Sequence, residues 1–442
     1  MFNFWGNWNV GPSSAIVPAI IISAPIVASA QEIPNRPNIP VRSEQGLFQD
    51  IVSLEEKRIL SRNSIPLEDM CRLVTLNVYQ KDFEEAAEFY RRAEAMGGNE
   101  QLLAITEAKL LYGTFRRDWD TKKISTHAAK RQLDDVIEKM QEIFVDKSNS
   151  TEIRREAHYI AGLLNLRMNE VRGSHENDRT AFANLVRASE LEHPLAYAEM
   201  ISGKLGLLVS CGMQKLKIKR SSLSVEEKKE KIEQLDKRMQ RIAEIEAPEL
   251  YKKGVECALA LDDKIEQIRA HLKLNLRYAF FCTQLGDFAQ DYHNTNVLYT
   301  HARLMIEDVL KIDPNNERGH NYYGVVYLRF AIINEEYEKK MFFIDRSIKG
   351  FRKALEINPD DSGLYCNLIR ALKYKADHTE RQRSAKEALP IYQEMMTFCC
   401  KLIGMRETHR MSEKDIDYAK KVLDWGNKKG AEKKEDANQE KR

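Results

Sequence analysis

Few residues in this chain have a type and spacing that could support chemistry. Asp291 and His293 stand two apart and could serve as an acid–base pair or as two metal ligands. His301 follows His293 by eight residues. On a helix that interval turns the two side chains about 80° apart, off a common face. Cys399 and Cys400 are adjacent and could be redox-active. Neighbours on a helix diverge by about 100°, so at least one of these thiols faces the interior. The other cysteines (Cys71, Cys211, Cys257, Cys282 and Cys366) are scattered through apolar stretches and read as small buried hydrophobes rather than a disulfide framework. There is no Gly-rich phosphate loop, no G-x-S-x-G, no H-E-x-x-H and no zinc-type cysteine spacing. With no nucleophile set beside a base, the chain is expected to be a non-enzyme, with no catalytic residue, no metal site and no cofactor.

Recognition is the remaining chemistry. Lys215 to Arg241 holds ten Lys or Arg and five Asp or Glu, a local net of +5. Ser224-Val225-Glu226-Glu227 fits a capping box, so a helix should begin there. Ile232, Leu235, Met239 and Ile242 then form one apolar stripe. Two readings follow. The helix is an exposed connector packed by that stripe, or its cations Lys228, Lys229, Lys231, Lys237 and Arg238 dock an acidic protein, an anionic membrane surface or RNA.

The elements that must carry such residues are helical. Charged residues make up 31% of the 442, Pro and Gly number only 12 and 20, and Val/Thr-rich alternation is rare. The length is too great for one compact core but ordinary for a solenoid, which grows by adding repeats. Net charge is +2, so no global pull toward nucleic acid is implied, and nucleic acid is not an expected partner.

The register of those helices is clearest late in the chain. If Pro314 closes one unit, Glu317 opens the next, and Tyr323, Gly324 and Tyr327 fall at its positions 7, 8 and 11. Ser347, Phe351, Ala354 and Pro359 follow at the spacing of a second helix and its stop. This pattern resembles the tetratricopeptide repeat, a 34-residue antiparallel helix pair. Only a small residue fits where the two helices touch, which assigns Gly324 to that contact. His320 departs from the family's Trp, and Pro314 to Pro359 is longer than one repeat by about three helical turns. Gly254 lies in a less patterned helix and is expected to tolerate a side chain.

Weaker matches lie upstream. Lys81 to Ala93 resembles a second helix closed by Gly97-Gly98, and Ala161-Gly162 marks another close contact. The stretch Ala181 to Leu208, with His193-Pro194 at its turn, resembles a Sel1-like repeat. The resemblance implies a right-handed superhelical solenoid that binds a partner in the concave face lined by first helices. Asn321 and Val325 stand where one variant of the family clamps a carboxylate with Lys and Asn, so that clamp does not carry over. Asn321, Arg329, Asn367, Arg370, Lys373 and Tyr374 fall on or near the groove wall and are the expected partner contacts.

The expected organisation is a signal-like apolar segment (1–30), a Pro-rich linker (31–46), N-terminal helical repeats (47–213) and a basic connector helix (214–246). C-terminal repeats (247–425) and a disordered charged tail (426–442) complete it. Residues 1–30 lack charge and end in Ala28-Ser29-Ala30, as a cleaved export signal would. That implies an exported or periplasmic protein. The alternative is a retained anchor with cytosolic repeats, attached through 10–30 or the basic helix. The expected function is a non-enzymatic scaffold for partner proteins or peptides.

Overall fold

The computed structural model describes residues 47–172, 177–288, 292–409, 411 and 413–439. The signal-like segment and the Pro-rich linker lie outside them. Helices dominate, and no strand occurs among the described residues. In chain order they are α1 (Leu47–Leu60), α2 (Leu67–Gln80), α3 (Phe83–Met96), α4 (Glu100–Asp120), α5 (Thr126–Val145) and α6 (Thr151–Arg172). Next come α7 (Asp178–Glu190), α8 (Pro194–Arg220), α9 (Val225–Arg241), α10 (Ala247–Leu259), α11 (Lys264–Phe288) and α12 (Tyr292–Ile312). The last are α13 (Glu317–Ile333), α14 (Tyr337–Ile357), α15 (Ser362–Gln382), α16 (Ala385–Gly404) and α17 (Glu413–Gln439).

Short polar turns set the boundaries. Asp82, Asn99, Ser125, Asn316, Asp361 and Ser384 each accept a hydrogen bond from the first turn of the helix they precede. Gly97 and Gly98 take positive φ (66° and 108°) after α3, a backbone that favours glycine. A π-turn over Ile242–Glu246 joins α9 to α10. Pro248 has no N–H for the Glu244 carbonyl, which loosens the ladder there.

Successive helices pair antiparallel and stack, as in a tetratricopeptide-like array. The chain divides into two compact units. One holds the described residues through Phe281 together with Lys311–Pro314, and the other holds residues 282–310 and 315 onward. In the first, α2 pairs with α3, and α6 packs on both α5 and α7. The first helices α2, α4 and α6 also touch in sequence. In the second, α13, α14, α15, α16 and α17 pack each on the next.

The proposed repeat register is visible in the packing of α13 on α14. A Cβ built on Gly324 would lie 2.6 Å from the Phe351 ring, and Ser347 Oγ donates to the Gly324 carbonyl at 2.7 Å. The serine thus turns its departure from the family's Ala into a hydrogen bond. Gly350 brings the helices closer still: its Cβ would sit 2.9 Å from both Gly324 N and His320 O. The extra length of this repeat is helix, with 17 residues in α13 and 21 in α14. Tyr323, Tyr327, Phe351 and Ala354 pack where the register puts them, with Tyr327 and Tyr323 rings 4.4 Å apart. Pro359 follows the end of α14. Gly162 is also a contact glycine, against Leu185 and the Ala181 carbonyl of α7.

Two expectations fail. Gly254 has no room for a side chain, because its Cβ would meet Leu274 at 2.6 Å. The tail expected to be disordered from residue 426 instead continues α17 through Gln439. Ala, Glu, Lys and Gln are strong helix formers, and residues 431–439 contain no Pro or Gly to stop the helix.

Candidate partner-binding wall

The first helices of the C-terminal unit, α13, α15 and α17, carry a connected row of polar side chains. Asn367 Nδ2 on α15 donates to Asn321 Oδ1 on α13 at 3.0 Å. Arg370 Nη1, one turn on, donates to Asn367 Oδ1 at 3.3 Å. The guanidinium then lies over the Tyr418 ring of α17, 5.7 Å from its centroid. Arg370 makes no ion pair among the described residues; an amide and a ring hold it. Hydrogen bonds join Asn321, Asn367 and Arg370 in one row, and Tyr418, which was not among the expected contacts, completes it from α17.

The other expected contacts are already engaged. Lys373 pairs with Asp377 at 2.7 Å and lies over Trp425, 4.2 Å from its centroid. Tyr374 packs against His378 and the core. Arg329 pairs with Asp287 at 2.7 Å, and Tyr299 donates to the same carboxylate at 2.6 Å. Arg329 is therefore part of the internal packing of this unit rather than an open contact. Among the chemically suggestive residues, His293 is exposed, Cys399 is buried, Cys400 is exposed, and Asp291 lies outside the described residues.

Beside the wall, Asp415 in the first turn of α17 is 4% exposed. Burial pushes its carboxyl up to about 6, although a hydrogen bond from Cys366 opposes the rise. A carboxyl raised by folding favours the folded state most when protonated, and that contribution is lost as pH climbs through about 6. The wild type is therefore expected to gain stability from this group between pH 7 and pH 5. Asp415→Asn should remove that dependence and raise the melting temperature at pH 7.5. Scanning calorimetry at several pH values checks it, and a variant less stable than wild type at pH 7.5 would contradict the assignment.

The corresponding wall of the N-terminal unit is filled from within. Residues Glu266, Arg269, Lys273 and Arg277 of α11, at steps of three, four and four, run along α2, α6 and α8. Arg72 of α2 pairs with Asp263 at 2.6 Å and Glu266 at 3.3 Å, and Tyr79 donates to Glu266 at 2.6 Å. The Arg269 guanidinium lies 4.0 Å from the Tyr79 centroid. Lys273 reaches Tyr159 Oη at 2.6 Å and Glu199 at 2.7 Å, and Arg277 reaches Glu199 at 3.1 Å. Behind them Glu156 joins Lys109 at 3.0 Å to His193 at 2.9 Å. Burial raises the Glu156 carboxyl, yet Lys109 and His193 outweigh it and hold it well below the ordinary range. His193, read as a turn residue, does open α8 and is also a buried hydrogen-bonding partner.

The basic segment divides into two parts. Lys217, Lys219 and Arg220 close α8, where the helix dipole favours them, while Lys215 is buried and paired with Asp236 of α9. In α9 the six cations face five acids, with Lys237 paired to Glu233 at 2.9 Å. Lys228 is half-buried, while Lys229, Lys231, Lys237 and Arg238 are exposed. The capping box at Ser224 and Glu227 is present, and Met239 and Ile242 are buried against the unit. No described helix is long and apolar enough to cross a membrane.

No family model matches the chain, and no curated protein matches it in sequence. Among solved structures it is similar to the C-terminal part of a TPR repeat-containing protein from Cytophaga hutchinsonii. That likeness has 13% identity, covers 78% of this chain and 98% of the other, and has a TM-score of 0.33. It is also similar to a human IFIT1 dimer with PPP-AAAA (16% identity, 92% of each chain, TM-score 0.32). Yeast Tom70 is a further match, at 11% identity over 88% of this chain and 93% of that one, with a TM-score of 0.18. Overlaps this loose leave the repeat register resting on the chain's own packing of Gly324, Ser347 and Phe351.

Proposed function

We propose that the chain is a non-enzymatic scaffold that holds a partner protein on the wall formed by α13, α15 and α17. The observation behind this reading is the continuous row Asn321–Asn367–Arg370–Tyr418 across three first helices, ending in a cation that forms no direct ion pair among the described residues. Amides bind peptide groups from either side, and a guanidinium receives carboxylates in a fixed fork. The N-terminal wall offers no such vacancy, because α11 satisfies its charges.

The test is capture from native lysate by the full chain, with wild type compared to an Asn321→Ala, Asn367→Ala pair. A partner retained by wild type and lost by the pair, with melting unchanged, supports the wall. A partner retained equally by both would remove it as the binding face.

A further inference from the structure

We infer that the ligand of this wall is an extended peptide segment carrying one internal acidic side chain, received by Arg370. The inference rests on the wall being the binding face. It follows from the direction of the hydrogen bonds. Asn321 Oδ1 accepts from Asn367, and Asn367 Oδ1 accepts from Arg370. Both amide oxygens are thus engaged inside the row. Asn321 Nδ2 makes no hydrogen bond among the described residues, and Arg370 keeps further N–H groups beyond the one given to Asn367. What the row has left to offer is donors, so its ligand must bring acceptors: peptide carbonyls at Asn321 and a carboxylate at Arg370.

The charge of the ligand is bounded by what surrounds Arg370. Lys373 is committed to Asp377, and Glu380 and Asp377 both accept from Tyr392. Asp361 caps α15, and Asp415 lies in the first turn of α17. Arg370 feels the charge of Asp415 but forms no direct ion pair among the described residues, which suits it to one carboxylate. A nucleic acid brings a charge at every phosphate and needs several unopposed cations along its track. A bound helix would satisfy its own carbonyls and leave the Asn321 donors unused. The row also has a helix on either side of Arg370, α13 and α17, and the cation one turn on, Lys373, is paired with Asp377 rather than open to close over a chain terminus. That favours a segment running through the site over a C-terminal carboxylate.

The probe is a display library of random linear peptides selected on the full chain. Selected sequences are then made with amidated ends, each beside a copy with Asp or Glu changed to Asn or Gln. The expected result is enrichment of acidic residues and a loss of about tenfold or more in affinity on acid-to-amide change. Arg370→Ala should cause a similar loss, and little further loss when both changes are combined. Arg370→Lys should recover part of the affinity, which a merely misfolded wall would not. Basic or apolar enrichment, or unchanged affinity on acid-to-amide change, would overturn the inference. So would a single-stranded RNA competitor displacing the peptides in an Arg370-dependent way, since the site would then take a phosphate. If no peptide is selected while lysate capture stays sensitive to Asn321 and Asn367, the extended acidic ligand is wrong and the wall stands. If capture is insensitive as well, the wall itself is wrong.

Discussion

Glu199→Ala is expected to destabilise the N-terminal unit by roughly 3–5 kcal/mol, the cost of stripping the partner from buried charges. Glu199 is 6% exposed and serves two cations of α11, Lys273 at 2.7 Å and Arg277 at 3.1 Å. Removing it takes the shared carboxylate from the buried Arg277 and the half-buried Lys273, which lie beside Tyr159 and the apolar side chains of α11. Burial already lowers the Lys273 ammonium, with Glu199 holding it up. Without Glu199 that group should lose its proton in the folded state at a lower pH. A lysine depressed by folding penalises the folded state while it must stay charged in the unfolded chain, and the penalty shrinks as pH rises toward the free lysine value. The loss in the variant should therefore be larger at pH 7 than at pH 9.5. Denaturant melts at both values test this, and a loss below about 1 kcal/mol at pH 7 would mean that α11 is not held by these charges.

Gly324→Leu should cost on the order of 1–3 kcal/mol or more, and Gly350→Ala should cost a comparable amount with only a methyl added. Phe351 is 1% exposed and cannot swing aside from a new side chain on Gly324. The atoms facing Gly350 are backbone, N of Gly324 and O of His320, so relief requires the two helices to part. Gly404 is the proper comparison, since nothing lies within 4 Å of a Cβ built there. Gly404→Ala should be neutral or stabilising by up to about 1 kcal/mol, the ordinary gain of Ala over Gly in a helix. The opposite signs at matched chemistry separate a contact glycine from an incidental one. Hydrogen exchange in Gly350→Ala should loosen α13 and α14 first, because repeats couple mainly to their neighbours.

The sequence reveals the contact between α13 and α14 because close approach admits few residue types, and those types recur at fixed spacing. Gly350 was readable by the same logic, one residue before Phe351, although the family pattern does not ask for it. The filling of the N-terminal wall was not readable. Glu266, Arg269, Lys273 and Arg277 look like any solvated helix face, and their partners Arg72, Tyr79, Tyr159 and Glu199 lie far off in the chain. Arg329 misled for the same reason: its position matched a groove wall, but Asp287 in α11 claims it. In the basic segment, summing charge over residues 215–241 hid the split between the end of α8 and the balanced helix α9. That Asn321, Asn367 and Arg370 lie beside one another was legible because position within a repeat fixes which face a residue lines, whatever the intervening sequence.

The central claim is that the wall of α13, α15 and α17 meets the partner, and site-directed photocrosslinking in native lysate tests it most directly. Benzoylphenylalanine replaces Tyr418 on the wall in one full-length variant and Phe342, which is 52% exposed on α14, in another. The expected result is a discrete adduct from position 418 that disappears with Arg370→Ala, and none from position 342. An adduct from position 342 alone, or one from position 418 indifferent to Arg370→Ala, would contradict it.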